Sequence, residues 1–204
     1  MPDLFDTIKQ RRSIRKYLPR KVPKDVVLKV LDAAGWAPSA HNSQPWRFLL
    51  IENASVKREL AEKMAQAWAA DLAKDGITTE ETKRFERRER FANAPALILA
   101  CITMENLHKF PDEKRQKCEH DLAVESLGAA TQNLLLAAHA LGLGACWFCA
   151  PAFCKETVRE VLKIPETVEP EALIVLGYPA EAPPTPKRKA ISEYCFVDEW
   201  RKEF

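Results

Sequence analysis

Arg11, Arg12, Ser13 and Arg15 place three guanidinium groups and a hydroxyl within five residues near the start of the chain. Guanidinium forks and hydroxyls suit a phosphate dianion through bidentate and charge-assisted hydrogen bonds. A solvated basic face is the other use of such a run. Lys187, Arg188 and Lys189 near the far end present the same choice. Between them, Pro38-Ser39-Ala40-His41-Asn42-Ser43-Gln44-Pro45-Trp46 gathers side chains that both donate and accept hydrogen bonds on a loop anchored by prolines and an aromatic ring. Such a loop either holds a ligand or caps its own backbone. Pro45 is expected to push Gln44 towards an extended conformation.

Cys146-Trp147-Phe148-Cys149 has the spacing of a redox dithiol, and with Cys154 it raises a metal site. Three features weigh against both. No second paired cysteine motif occurs, His41, His108, His120 and His139 show no ligand spacing with it, and cysteine is a common small buried residue. No metal is expected. Gly142-Leu143-Gly144 lacks the third glycine of a dinucleotide fingerprint, since Trp147 stands in that place, and no phosphate-binding Walker loop is present.

These groups need elements to hold them. Leu4, Phe5 and Ile8 recur at helical spacing before the basic run, and Asp25 to Ala34 reads as a second helix stopped by Gly35. Trp46 to Ile51 has the length and composition of a strand. Lys57 to Lys74 is an alanine-rich helix, and Thr78 to Arg90 a solvated one. Ala96 to Ile102 and Ala172 to Leu176 are short, continuously apolar runs expected as strands covered on both faces. The long helix Asp121 to Leu141 is broken by Gly142 and Gly144, and Cys154 to Leu162 is a last helix ending before Pro165. Three buried strands among helices predict an α+β or α/β sandwich. Tyr194, Phe196 and Trp200 follow a proline-rich arm; they pack either on a second subunit or around their own domain.

With 204 residues, 47% hydrophobic and 29% charged, one globular domain over 1–204 is expected, and disorder is excluded. A formal charge of +2 from 31 basic and 29 acidic residues calls for neither nucleic acid nor an anionic membrane as partner. No apolar run is long enough to cross a bilayer, and the N-terminus lacks a signal-peptide core, so a cytoplasmic location is expected. Six irregularly spaced cysteines do not form a secreted disulfide framework.

The order Arg-Arg-Ser-Ile-Arg, then Ala-Pro-Ser-Ala-His-Asn-Ser-Gln-Pro-Trp, then Leu-Gly-Leu-Gly-Ala-Cys-Trp resembles the FMN-dependent nitroreductase family over nearly the whole chain. The resemblance implies a three-layer α-β-α sandwich with a mixed central sheet and a C-terminal arm reaching a homodimer partner, with FMN near the interface. It implies that Arg11, Ser13 and Arg15, with Arg12 adjacent, hold the flavin phosphate and ribityl chain, completed by Lys187 and Lys189 with Arg188. It places Ser39, Asn42 and Gln44 along the flavin, lined by Pro38, and a backbone N–H of Phe148, Cys149 or Ala150 at flavin N5. Here the chain reads Phe-Cys-Ala-Pro-Ala-Phe where many relatives have a shorter Ile-Gly-Ala-Phe-like stretch. The implied activity is ping-pong electron transfer from NADH or NADPH to a small organic acceptor such as a nitroaromatic or quinone, with no catalytic side chain required. Within the resemblance, a specialised enzyme such as a reductive dehalogenase or a flavin-consuming synthase, and a flavin-storing protein without turnover, are the alternatives.

Overall fold

A computed structural model describes residues 3–78 and 80–202, with the backbone alone for 81–84 and 87. Thr79, inside the helix expected from Thr78, and the ends of the expected 1–204 unit lie outside the described residues. In chain order the elements are α1 (Leu4–Gln10), α2 (Lys24–Gly35), β1 (Trp46–Ile51), α3 (Ala54–Lys74), α4 (Glu81–Ala92), β2 (Ala96–Thr103), α5 (Glu113–Ala140), β3 (Gly144–Phe148), α6 (Lys155–Leu162) and β4 (Val168–Gly177). Polar side chains start the two longest helices. Asn53 accepts from the N–H groups of Ser55 (2.9 Å) and Val56 (3.4 Å) ahead of α3, and Asp112 accepts from that of Arg115 (3.0 Å) ahead of α5. Among the described residues no helix is long and apolar enough to cross a membrane.

The strands form one sheet in the order β1-β2-β4-β3. Every pairing within it is antiparallel, with Trp46 opposite Ile102, Leu97 opposite Val175 and Cys146 again opposite Val175. The parallel pairing expected of a mixed sheet is confined to an isolated bridge between Ser13 and Ala145 at its edge. Because side chains alternate across a strand, the sheet feeds two cores. Ile98, Ala100 and Ile102 of β2 with Ile174 and Leu176 of β4 pack under α2 and α5; Leu97, Leu99, Leu173 and Val175 pack under α3, α4 and α6. This is the expected three-layer arrangement.

β3 is the strand that composition concealed. Gly142, at φ 76°, makes the turn out of α5, and β3 then runs through three buried small residues, Gly144, Ala145 and Cys146, to exposed Trp147 and half-buried Phe148. Such a pattern lacks the apolar run of β2 and β4. The arm beyond β4 lies on the surface and leaves Ile191, Tyr194 and Trp200 exposed, the last at 81%.

Candidate functional site

The N-terminal basic segment is stitched between β3 and the start of the arm. Ile14 N–H donates to Ala145 O at 3.0 Å, Leu18 N–H to Tyr178 O at 2.9 Å and Ala180 N–H to Lys16 O at 3.0 Å. Glu181 Oε1 accepts from the backbone N–H groups of Arg15 (2.6 Å) and Lys16 (3.0 Å). Gly144 makes the close approach possible, since a Cβ there would stand 2.7 Å from Ile14 Cβ. Backbone bonding thus fixes the segment without using a guanidinium group.

Arg12 donates to the carbonyls of Lys9 (2.7 Å) and Arg11 (2.8 Å) and to Thr185 Oγ1 of the arm. Arg11 is pushed below the usual guanidinium range by burial and then by the like charges of Arg188 and Arg12. His139, in the last turn of α5, is likewise lowered by burial, Arg11 and Arg12. Among the described residues none of Arg11, Arg12, Arg15, Lys187, Arg188 or Lys189 forms an ion pair with a carboxylate. Like charges gathered from both ends of the chain, with no side-chain ion pair among the described residues, fit a multiply charged anion such as a flavin phosphate. Ser13 turns its hydroxyl towards Cys146.

The second cluster is the loop before β1. Ser39 Oγ accepts from Gln44 N–H at 3.1 Å, Gln44 Nε2 approaches Asn42 Oδ1 at 3.4 Å, and Ala40 N–H donates to Ser126 Oγ of α5 at 3.2 Å. His41, Asn42 and Gln44 sit at φ 55°, 50° and 46°. Gln44 is therefore not extended. The turn closed by Ser39 and carried on by Ser43 N–H to Ala40 O (2.9 Å) overrides the bias of Pro45. Three left-handed non-glycine residues in one loop are strain that a packed scaffold must hold. Buried Glu119 helps, taking His41 Nε2 at 3.4 Å and His108 N–H at 3.2 Å, while the two imidazoles meet edge-on at 4.3 Å. Pro38, Asn42 and Gln44 are left exposed and Ser39 half-buried.

Both clusters lie along α5. At 1.5 Å rise per residue, Ser126 under the loop and His139 beside the guanidinium groups are about 20 Å apart. Within one chain the two sets of expected flavin residues are therefore held at different stations of one rigid rod.

The third expected segment leaves β3 at Phe148 and enters a 3₁₀ turn at Ala150–Phe153, where the leading N–H groups precede the first internal bond, Ala152 N–H to Cys149 O at 3.2 Å. Phe148, Cys149 and Ala150 line a cavity of ≈ 420 Å³ walled by Met64 and Trp68 of α3, Phe91 of α4, and Phe153. Phe91 meets Phe148 edge-on at 5.2 Å, and the Arg90 guanidinium lies 5.2 Å from the centre of the Phe148 ring. Among the described cysteines all are free thiols. Cys146 is buried and its pKa raised by that burial, whereas Cys149 is exposed. Elsewhere His120, Glu169 and Glu171 converge within 4.8 Å, but Lys155 Nζ already bonds to both carboxylates, at 2.6 Å to Glu171.

The model of the nitroreductase family matches residues 8–178. The chain belongs to the nitroreductase family. A Methanothermobacter thermautotrophicus protein, provisionally named NADH dehydrogenase/NAD(P)H nitroreductase, is 38% identical over 186 residues, spanning 90% of this chain and 81% of that protein. The crystal structure of a BluB-like flavoprotein from Clostridium difficile 630 superposes with a TM-score of 0.80 at 27% identity, covering 98% of this chain and all of the other. Oxidised iodotyrosine deiodinase bound to FMN and 3-iodo-L-tyrosine superposes at 0.75 with 25% identity, covering 96% of this chain and 100% of that one. In this nitroreductase-family chain, Arg90, His139, Thr185, Ser126 and Glu119 are the site neighbours that sequence reasoning missed. Only Arg90 carried any signal, as the last basic residue of a charged helix whose facing partner was unknown.

Proposed function

We propose that this nitroreductase-family protein is an FMN-dependent oxidoreductase of the cytoplasm that moves electrons from NADH or NADPH to a small organic acceptor. The observation that carries the proposal is the meeting of Arg11, Arg12 and Arg188, none ion-paired with a carboxylate among the described residues, at the edge where β3 leads into the cavity. Arg11, Arg15, Lys187 and Lys189 would hold the phosphate with them, and Ser13 the ribityl chain. When bound, FMN supplies two-electron transfer between a nicotinamide and an acceptor. The chain's own part is to bind, orient and shield: the aromatic walls exclude water, and the N–H groups of Phe148, Cys149 and Ala150 are the candidate donors to flavin N5. No side chain is assigned a proton-transfer step, and donor and acceptor would occupy the cavity in turn.

A homodimer completes the site in this proposal. Ser39, Asn42 and Gln44 are held about 20 Å along α5 from the guanidinium groups, so the loop of one copy would serve the phosphate end of its partner. The exposed Tyr194 and Trp200 and the exposed α1 residues Leu4 and Phe5 supply apolar surface for such a contact. The test is direct. Purified protein is expected to be yellow or to take up FMN, to bleach with NADH or NADPH, and to regain colour with a nitroaromatic or quinone. Failure to take up FMN refutes the proposal, and uptake without bleaching supports storage instead. A reductive dehalogenase is a second reading, favoured by the aromatic walls of the cavity and by the likeness to the deiodinase; iodide release from 3-iodo-L-tyrosine separates it.

A further inference from the structure

The cavity walled by Met64, Trp68, Phe91, Phe148 and Phe153 is apolar and aromatic, and its volume falls in the range of about 300–1,000 Å³ common for small-molecule sites. Two charged side chains line it, Asp71 of α3 and Arg90 of α4. Their situations differ. Asp71 Oδ1 is taken by Lys74 Nζ at 2.7 Å, so its charge is answered locally. Arg90 has no carboxylate partner among the described residues. Its neighbour Glu89 is turned to Arg88 Nε (3.1 Å) and Asn93 Nδ2 (2.7 Å). The guanidinium instead lies against the Phe148 ring, a contact that fixes its place on the wall without neutralising it.

Arg90 also lines the adjoining surface pocket with Arg15 and Tyr17, and with Arg15 and Arg11 it acts on buried Cys146. The cavity therefore has aromatic walls and one uncompensated guanidinium at the side nearest the basic cluster. A planar ring suits the walls, and a carboxylate suits a guanidinium held in place, bidentate.

We propose that this cavity is the acceptor subsite and selects aromatic acceptors that carry a carboxylate, with Arg90 as the specificity-determining residue that binds it. The inference rests on the oxidoreductase reading above. For a nitroaromatic acid the step balances as one nitro group plus NAD(P)H and one proton giving a nitroso group, NAD(P)⁺ and water. The carboxylate is untouched and serves only as the handle.

The test compares 4-nitrobenzoate with its neutral analogue 4-nitrobenzamide on the FMN-loaded protein, as the ratio of their kcat/KM values. In Arg90→Gln that ratio is expected to fall about ten- to a hundredfold, the loss of one charge-assisted hydrogen-bonded contact, and Arg90→Lys should recover part of it. Unaltered protein supplies a check free of folding effects: benzoate should inhibit competitively against the acceptor, benzamide far less. A ratio unchanged in Arg90→Gln, or equal inhibition by benzoate and benzamide, overturns the inference while leaving the oxidoreductase reading intact. An equal fall in kcat/KM for both acceptors also overturns it, assigning Arg90 to the cofactor. Oxidation of bound reduced FMN by neither compound overturns acceptor turnover itself.

Discussion

At the C-terminal end of α5 stand guanidinium groups that pair with no carboxylate among the described residues, set on backbone stitched to β3 and the arm. Near its N-terminal half stands a strained polar loop braced by Ser126 and buried Glu119. The first cluster is built to attract charge, and its own members repel one another. The second gathers uncharged polar side chains on left-handed backbone at three positions. Binding energy for an anion is thus stored at one end and hydrogen-bonding precision at the other. In the proposed homodimer, a ligand needing both would draw one cluster from each copy.

Removing charge from the first cluster should have the largest effect. Each charge-assisted hydrogen bond contributes about 1.5–3 kcal/mol, so Arg11→Ala or Arg15→Ala should weaken FMN binding by roughly one to two powers of ten. Titration of FMN into apo-protein measures it. Turnover of Arg15→Ala should largely return with excess FMN if the residue only retains the cofactor. Affinities unchanged in both variants would reduce the cluster to a solvated face.

Moving the cluster without discharging it should cost somewhat less. A methyl at position 144 would sit 2.7 Å from Ile14 Cβ and force the basic segment away from β3. Overpacking of this kind costs about 1–3 kcal/mol, so Gly144→Ala should lower the denaturation midpoint and weaken FMN binding together. Full FMN affinity in a destabilised Gly144→Ala protein would separate the segment's position from its role.

How far these features could be read beforehand follows from how local their causes are. β2 and β4 announce themselves because burial on both faces demands an unbroken apolar run, and the helices because their caps and periodicity lie within a few residues. β3 is hidden since a five-residue edge strand that opens on Gly144, Ala145 and Cys146 and ends on two aromatic residues lacks both an apolar run and an alternation, and so resembles a loop. Gln44 was misjudged because a local bias from Pro45 lost to a turn closed by Ser39. The basic segments were visible as charge, but their meeting depends on the arm running back along residues 13–18. Arg90 was visible only as one cation among many on α4, since what sets it apart is the Phe148 ring beneath it and carboxylates that turn elsewhere.

The twofold arrangement can be tested by complementation. In the proposed dimer, Arg11 and Asn42 of one chain serve different sites, so Arg11→Ala on one copy and Asn42→Ala on its partner fall in the same site. Hybrids of the two should hold one doubly altered and one intact site, so an equal mixture after subunit exchange should regain about a quarter of the native FMN-binding sites. Activity at subsaturating FMN reads this out. No gain over the unmixed variants would place both clusters in one chain's site, against the spacing along α5.

The smallest effect is also the most local. His139 is held below its ordinary pKa of 6.5 by burial and then by Arg11 and Arg12. As pH falls through that ordinary value, the unfolded chain takes up the proton first, because the folded state holds the imidazole neutral. The stabilisation from neutral His139 is therefore present above the ordinary value and is lost on acidification below it, until the folded protein protonates as well. A phosphate beside the same guanidinium groups reverses the field at the ring. NMR titration of the His139 imidazole in apo-protein should give a depressed pKa that rises when FMN is added and also rises, without FMN, in Arg11→Ala. His41, near the other end of α5 and paired with Glu119, reports on the loop. If FMN leaves the His139 titration unmoved and instead displaces the ring resonances of His41, the anion lies at the loop, and the contrast between the two ends of α5 is the reverse of the one drawn from their charges.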